Sequence, residues 1–121
     1  MASHDQAATF VSVLLHSSTN AHFMHLQSKS YSVHQALGSY YDDIVEATDR
    51  WAETYQGHHG VIEEYPSTFH PVKEPVNYMK ELLDFVDDMG EDLPDDPDLE
   101  NIRQEIRSLI ATTLYKLENL K

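Results

Sequence analysis

The 121-residue sequence contains no cysteine, few basic residues and no long apolar segment. The lack of cysteine excludes disulfides, zinc–thiolate sites and iron–sulfur clusters. Only 8 lysines and arginines stand against 21 aspartates and glutamates, so the formal net charge is −13. Such a surface repels phosphate, and we therefore expect no direct binding to nucleic acid. The apolar run near the N-terminus is short and lacks a basic flank, so we expect no signal peptide, no membrane span and a cytoplasmic protein.

Hydrophobic residues recur at steps of three and four in four segments, which is the spacing of amphipathic helices. Ser32 and Asp98 are the predicted N-caps of the second and fourth helices, and Gly57 is the predicted end of the second. Trp51 lies on the apolar stripe of the second helix and should be buried. The predicted helices cover about residues 5–27, 32–56, 76–89 and 98–120.

The segment between the second and third helices, residues 57–75, breaks this periodicity. It contains Pro66, Pro71 and Pro75, which rule out a long regular helix. A connection of this length lets two consecutive helices lie parallel. We therefore predict one all-α domain over residues 1–121, a shortened four-helix bundle of two helical hairpins joined by a crossover loop.

Five side chains in the first two helices form a candidate metal site. His22 and His25 are three residues apart and share one helix face, while Asp49 and Glu53 are four apart and share another. With His34, they offer the imidazole and carboxylate ligands that suit iron, zinc or manganese. The same residues are also common on solvated helix surfaces, so a protein that binds no metal is the alternative.

Helix length decides which of these side chains could hold one ion. His34 and Asp49 are fifteen residues apart on one helix, a separation of roughly 22 Å. They cannot bind the same ion within one chain, whereas His22 and His34 can approach across a short turn. Because the carboxylates must then come from a second copy, an antiparallel dimer with a two-fold axis would form two sites. The residues predict both a metal and a homodimer, or neither.

The stretch HFMHLQSKSYSVHQALGSYYDDIVEATDRWAE resembles the Dps family of mini-ferritins. His22, His34, Asp49 and Glu53 match the intervals of the Dps ligand signature without a gap. The resemblance implies a ferritin-like bundle, a homo-oligomer and a ferroxidase site that oxidises iron(II) between subunits. It also implies that the two histidines come from one subunit and the two carboxylates from another.

The sequence departs from the Dps pattern in several places. The acidic residue expected four positions after the second histidine is Gly38, and the tryptophan expected after the first is Phe23. The basic N-terminal tail is missing, and the last two helices are short for a twelve-subunit shell. His25 is an additional histidine that could compensate at the metal site. An ordinary ferritin di-iron site is excluded, because no glutamate is followed by histidine at the Glu-x-x-His spacing.

The chain also resembles small proteins of tailed bacteriophages, in ALGSYYDDIVEATDRWAETYQG and LENIRQEIRSLIATTLYKLENLK. This resemblance implies the cytoplasm of an infected bacterium and supplies no function. Three functions therefore remain open. The first is a metal-binding protein, with ferroxidase activity as an open question. The second is a non-catalytic helical protein that binds a host or phage protein through the acidic run at residues 84–100, and the third is a DNA mimic.

Overall fold

The computed structural model describes residues 4–120, which form four helices and no strand. The protein is an all-α four-helix bundle, as the periodicity predicts. The first helix has the predicted bounds, and the predicted domain 1–121 reaches beyond the described residues at either end. None of the helices in the described chain combines the length and apolar character needed to cross a bilayer. The helices are α1 (Asp5–Gln27), α2 (Tyr31–His59), α3 (Pro75–Met89) and α4 (Pro97–Asn119).

The directions of the helices follow from two side-chain contacts in each pair of helices. In the pairs α1–α2, α2–α4 and α3–α4, a residue early in one helix meets a residue late in the other, so each pair is antiparallel. Since α4 is antiparallel to both α2 and α3, these two helices are parallel to each other. Two hairpins joined by one long crossover are the arrangement of ferritin-like bundles. The contacts are His4–Tyr55 and Ser17–Tyr40, Arg50–Glu105 and His58–Asp98, and Asp87–Arg107 and Lys80–Glu118.

The crossover, residues 60–74, returns along the outside of α1 and is attached there by Asn20. The Asn20 amide nitrogen donates to the carbonyl of His70 at 3.2 Å and to the hydroxyl of Tyr78 at 3.1 Å. The Asn20 amide oxygen accepts from the backbone N–H of Val72 at 3.0 Å. This buried side chain therefore joins α1, the crossover and α3.

The second helix is longer than predicted at both ends. It continues through Gly57 and ends before Gly60, whose φ of 104° lies in the left-handed region that favours glycine. Glycine inside a helix costs about 0.5–1 kcal/mol, and here the extra turn gains contacts of His58 and His59 with α4. Gly57 as the end of the helix was therefore a wrong prediction.

Both predicted N-caps are also displaced by two residues. Ser30, not Ser32, caps α2, because its hydroxyl accepts from the N–H of Val33. In α4 the cap position belongs to Asp96, since Pro97 occupies the first helical position that proline favours. Asp98 lies in the first turn instead.

Trp51 is buried as predicted, with 1% of its surface exposed. Its ring lies between Phe10, at a centroid distance of 4.7 Å, and Tyr55, at 5.3 Å. Tyr40 is equally buried and hydrogen bonds to the hydroxyl of Ser17 at 2.7 Å. The aromatic core therefore sits between α1 and α2 and holds this hairpin together.

Thr48 is fully buried on α2, and its hydroxyl has no hydrogen-bond partner in the described part of the chain. A buried unpaired hydroxyl is unfavourable, so we expect Thr48→Val to raise the free energy of unfolding by about 1 kcal/mol. Urea denaturation measures this change. Thr113→Val is the control, because the buried Thr113 hydroxyl donates to the carbonyl of Leu109 at 2.9 Å. An equal gain from both variants would contradict the explanation.

The turn between α3 and α4 is held by Arg103, which is 8% exposed. Its guanidinium donates to the carbonyl of Val86 at 3.0 Å, one of the last carbonyls of α3, and pairs with Glu100. Gly90 lies against this group: a Cβ there would come within 2.9 Å of Arg103 Cζ. The glycine is needed for space, since its φ of −56° is open to any residue.

We expect Gly90→Ala to lower the free energy of unfolding by about 1–3 kcal/mol, because the new methyl group displaces the buried guanidinium. In an Arg103→Ala background the same change should have almost no effect, and a double-mutant cycle by urea denaturation measures the coupling. Gly57→Ala is the matched control. A Cβ at Gly57 meets nothing within 4 Å, so helix propensity should make that variant more stable by about 0.5–1 kcal/mol. Equal losses in both Arg103 backgrounds would contradict the steric cause.

Candidate metal site

The turn between α1 and α2 brings His25 and His34 together. Their rings stack with centroids 3.7 Å apart and planes 17° from parallel. His25 Nδ1 hydrogen bonds to the carbonyl of His34 at 2.6 Å, and His34 Nδ1 to the carbonyl of His25 at 2.8 Å. A carbonyl oxygen can only accept, so both Nδ1 atoms carry the proton. In the neutral rings each Nε2 therefore keeps a lone pair. Through this lone pair the Nε2 atom can bind a metal ion.

Gly38 provides the space for this stacked pair. A Cβ at Gly38 would lie 3.0 Å from Cε1 and 3.1 Å from Nδ1 of His25. A side chain at this position would require the imidazole of His25 to shift by a few tenths of an ångström. The space beside Gly38 is thus occupied by the ring of His25.

His22 occupies the outer side of the same cluster and is exposed. Its ring stacks on Tyr41, with a centroid distance of 4.0 Å and an angle of 7°, and lies 6.1 Å from the ring of His25. The prediction paired His22 with His34, whereas the ring packed on His34 is that of His25. The three-residue step from His22 to His25 places both on one face of α1, and it carries no signal for which of the two rings stacks on His34.

Asp49 and Glu53 lie on the exposed side of α2, more than four turns beyond His34. Neither carboxylate has a hydrogen-bond or ion-pair partner within residues 4–120. Over the same residues, no three histidine, aspartate or glutamate side chains of one chain are placed to hold a metal ion. One chain therefore does not bring the five predicted ligands together.

Large apolar side chains beside the histidines are exposed. Phe23 has 51% of its surface exposed and Leu26 has 66%, both on α1 next to His22 and His25. Tyr31, at the start of α2, is 75% exposed. Phe23 and Leu26 are three residues apart and share one face of α1, and exposed apolar groups grouped in this way are typical of a contact surface.

The acidic run at residues 84–100 is partly used to hold the bundle together. It contains nine acidic residues, and four of them are paired with basic or histidine side chains: Asp87–Arg107, Asp96–His59, Asp98–His58 and Glu100–Arg103. The remaining five are exposed and have no side-chain partner in the described chain. They are Asp84, Asp88, Glu91, Asp92 and Asp95.

The pairs of His58 with Asp98 and His59 with Asp96, each at 2.8 Å, make the stability of this end depend on pH. The hydrogen bond to Asp98 raises the pKa of His58. The stability that charged His58 adds is therefore fully present below the ordinary histidine pKa, and it is lost as pH rises through the pKa of His58 in the folded protein. Hydrogen bonds from His59 and His58 lower the pKa values of Asp96 and Asp98. The stability that the two charged carboxylates add is therefore lost as pH falls through their pKa values in the folded protein.

We therefore expect the thermal midpoint of the wild type to exceed that of His58→Gln most strongly between about pH 4 and 6.5, and the excess to shrink by about pH 8. Calorimetry across this range measures it. His70→Gln is the control, because the exposed His70 ring makes no hydrogen bond in the described chain. A constant difference between the wild type and His58→Gln at all pH values would contradict the assignment.

The helix order and directions define a four-helix bundle with a long crossover between two parallel helices. The chain belongs to DUF5856, a family of unknown function whose model matches residues 25–117, more than half of the chain. The matched range begins at the end of α1 and includes α2, α3 and nearly all of α4, with the candidate ligands His25, His34, Asp49 and Glu53. Searches of curated proteins and of solved structures find no match.

Proposed function

We propose that two copies of this chain bind divalent metal ions, iron(II) first among them, at sites shared between the copies. One copy contributes His25 and His34, beside which His22 lies, and the other contributes Asp49 and Glu53. The observation that carries this proposal is the pair of reciprocal Nδ1 hydrogen bonds between His25 and His34. When Nε2 of a histidine binds a metal ion, a hydrogen bond from Nδ1 to a carbonyl fixes the orientation of the ring and directs the Nε2 lone pair.

The two-fold arrangement is required by the position of the ligands along α2. Tyr41 and Val45 lie between His34 and Asp49 on a partly exposed face of the helix. If the α2 helices of two copies pack antiparallel about a point near Tyr41, midway between His34 and Asp49, the carboxylates of each copy reach the histidines of the other. The roughly 22 Å between His34 and Asp49 in one chain then becomes the distance between two equivalent sites.

The exposed apolar groups support a partner at this end of the bundle. Phe23 and Leu26 flank the histidines and would be covered by a second copy, which makes dimerisation favourable through burial of apolar surface. The unpaired carboxylates of Asp49 and Glu53 would be matched by the metal charge. In the proposed reaction iron(II) is the substrate, and each ion gives one electron to dioxygen or peroxide. The carboxylates stabilise the harder iron(III) product.

Anaerobic titration of the metal-free protein with iron(II), with light scattering for the mass, tests the proposal. We expect a dimer or larger assembly that binds about one or two iron ions per dimer interface. Once oxygen is admitted, the bound iron should oxidise faster than iron in buffer. Zinc(II) and manganese(II) titrations separate binding from oxidation. Absence of micromolar binding of all three metals would overturn the metal site, and binding without faster oxidation would overturn only the ferroxidase activity.

The second candidate is a non-catalytic protein that binds a basic partner, and the five unpaired acidic residues of the run 84–100 favour it. A partner of a phage-encoded protein would be a host or phage protein. Replacing Asp88, Asp92 and Asp95 together by asparagine should abolish such binding while the iron titration stays unchanged. Loss of iron binding in that variant would instead favour a cation site at the acidic run.

A further inference from the structure

A cavity of about 310 Å³ lies between α1, the crossover and α3. It shares no residue with the histidine cluster and opens to solvent beneath the crossover. Most of its accessible surface is apolar, and polar side chains line it on α1, on the crossover and on α3. Its size is at the lower end of the range for small-molecule sites in proteins. The side chains used below are Val13, His16, Pro66, Val72, Tyr78 and Glu81.

The walls of the cavity are fixed by Asn20. Its three hydrogen bonds hold the backbone of the crossover at His70 and Val72 and the hydroxyl of Tyr78. His16 packs edge-on against Phe69 of the crossover with a centroid distance of 5.2 Å. A site with such walls is formed before a ligand arrives, so binding requires little ordering of the protein.

The α3 wall of the cavity combines a hydroxyl, Tyr78, with a carboxylate, Glu81. Tyr78 accepts one hydrogen bond from Asn20 and keeps a second lone pair. Burial, and to a lesser extent the nearby charge of Glu81, raises the pKa of Tyr78, so this group stays neutral. Glu81 itself is exposed and has no hydrogen-bond or ion-pair partner among residues 4–120. Both groups can accept hydrogen bonds, and one of them is an anion.

We propose that this cavity binds a small organic cation: a primary ammonium group on an apolar body about the size of one aromatic ring. The apolar body fills the space against Val13, Pro66 and Val72. The ammonium group lies at the α3 wall, where it donates hydrogen bonds to Glu81 and to Tyr78. The formal charge of −13 favours a cation over an anion at any site on this protein.

Three molecules with the same ring and different charges test the ligand class: benzylamine, benzyl alcohol and benzoate. Calorimetric titration of the full chain at neutral pH measures their affinities, and amide chemical shifts in an NMR spectrum locate them. We expect benzylamine to bind at least about fivefold more tightly than benzyl alcohol and benzoate not to bind. The shifts should occur at Val13, Val72 and Tyr78. Equal binding of the amine and the alcohol, or shifts elsewhere, would overturn the proposal.

Variants of the cavity distinguish binding of the cation in this site from a general attraction of cations to the acidic surface of the protein. Glu81→Gln should weaken benzylamine binding about fivefold and leave benzyl alcohol unchanged, while Val13→Phe should abolish binding of both by filling the space. Glu46→Gln, the same change at an exposed glutamate of α2, is the matched control and should bind as the wild type. Equal weakening by Glu46→Gln and Glu81→Gln, or full binding by a folded Val13→Phe variant, would overturn the site.

Discussion

Mixing His34→Ala chains with Glu53→Ala chains should restore about a quarter of the metal sites, although each variant alone binds none. The reason is the division of ligands between two copies. In equal mixture about half of the dimers contain one chain of each kind. One of the two sites in such a dimer combines an intact histidine cluster with an intact pair of carboxylates, and the other site lacks both groups.

Each single variant should weaken zinc(II) binding by at least about 100-fold, since ligand loss exceeds the effect of losing an outer hydrogen bond. Zinc(II) is the probe because it does not change oxidation state, and calorimetric titration counts the sites. The two chains are unfolded together and refolded so that they exchange.

The control is a mixture of His34→Ala with His25→Ala. Both ligands come from the same chain in the proposed site, so this mixture should restore no binding. If the first mixture restores no sites either, the two-chain site is wrong. If both mixtures restore binding, the histidines do not act together.

Trp51→Ala should lower the free energy of unfolding by about 3–5 kcal/mol, which is a large share of the 5–15 kcal/mol of a typical domain. The indole is 1% exposed and contacts Phe10 of α1 and Tyr55 of its own helix. Its loss leaves a cavity at the main interface of the bundle and removes two aromatic contacts.

Circular dichroism during urea denaturation measures this loss, since Trp51 is the only tryptophan and the variant has no indole fluorescence. Tyr115→Ala is the matched aromatic control, because Tyr115 is 55% exposed on α4, and its change should stay within about 0.5 kcal/mol. A loss below about 1 kcal/mol for Trp51→Ala would contradict the packing of α2.

The number, order and core faces of the helices could be predicted from periodicity and proline positions, because each amphipathic segment carries its own pattern. Helix ends were less predictable where they depend on contacts with another helix. Gly57 has the residue type of a helix end, yet α2 continues because His58 and His59 bind carboxylates of α4. Such long-range contacts have no local signal in the sequence.

The candidate ligands could be identified from the sequence, but the detailed packing of the histidines could not. Spacing places His22 and His25 on one helix face, and it does not say which ring stacks on His34. That choice depends on the absence of a side chain at Gly38, which faces His25 only after α1 and α2 pack. Gly38 stands where the Dps pattern has an acidic residue, and in the structure it leaves room for the ring of His25.

The contact between α1 and α3 is the sparsest of the four helix interfaces, and the buried Asn20 and the cavity both lie along it. The two hairpins are otherwise joined through α2 and α4 on the opposite side. The α2–α4 interface therefore holds the two hairpins together on one side of the bundle, and on the other side the crossover covers the gap between α1 and α3. Local opening at that edge needs the loss of few apolar contacts, so small molecules and water can exchange there while the aromatic core stays packed.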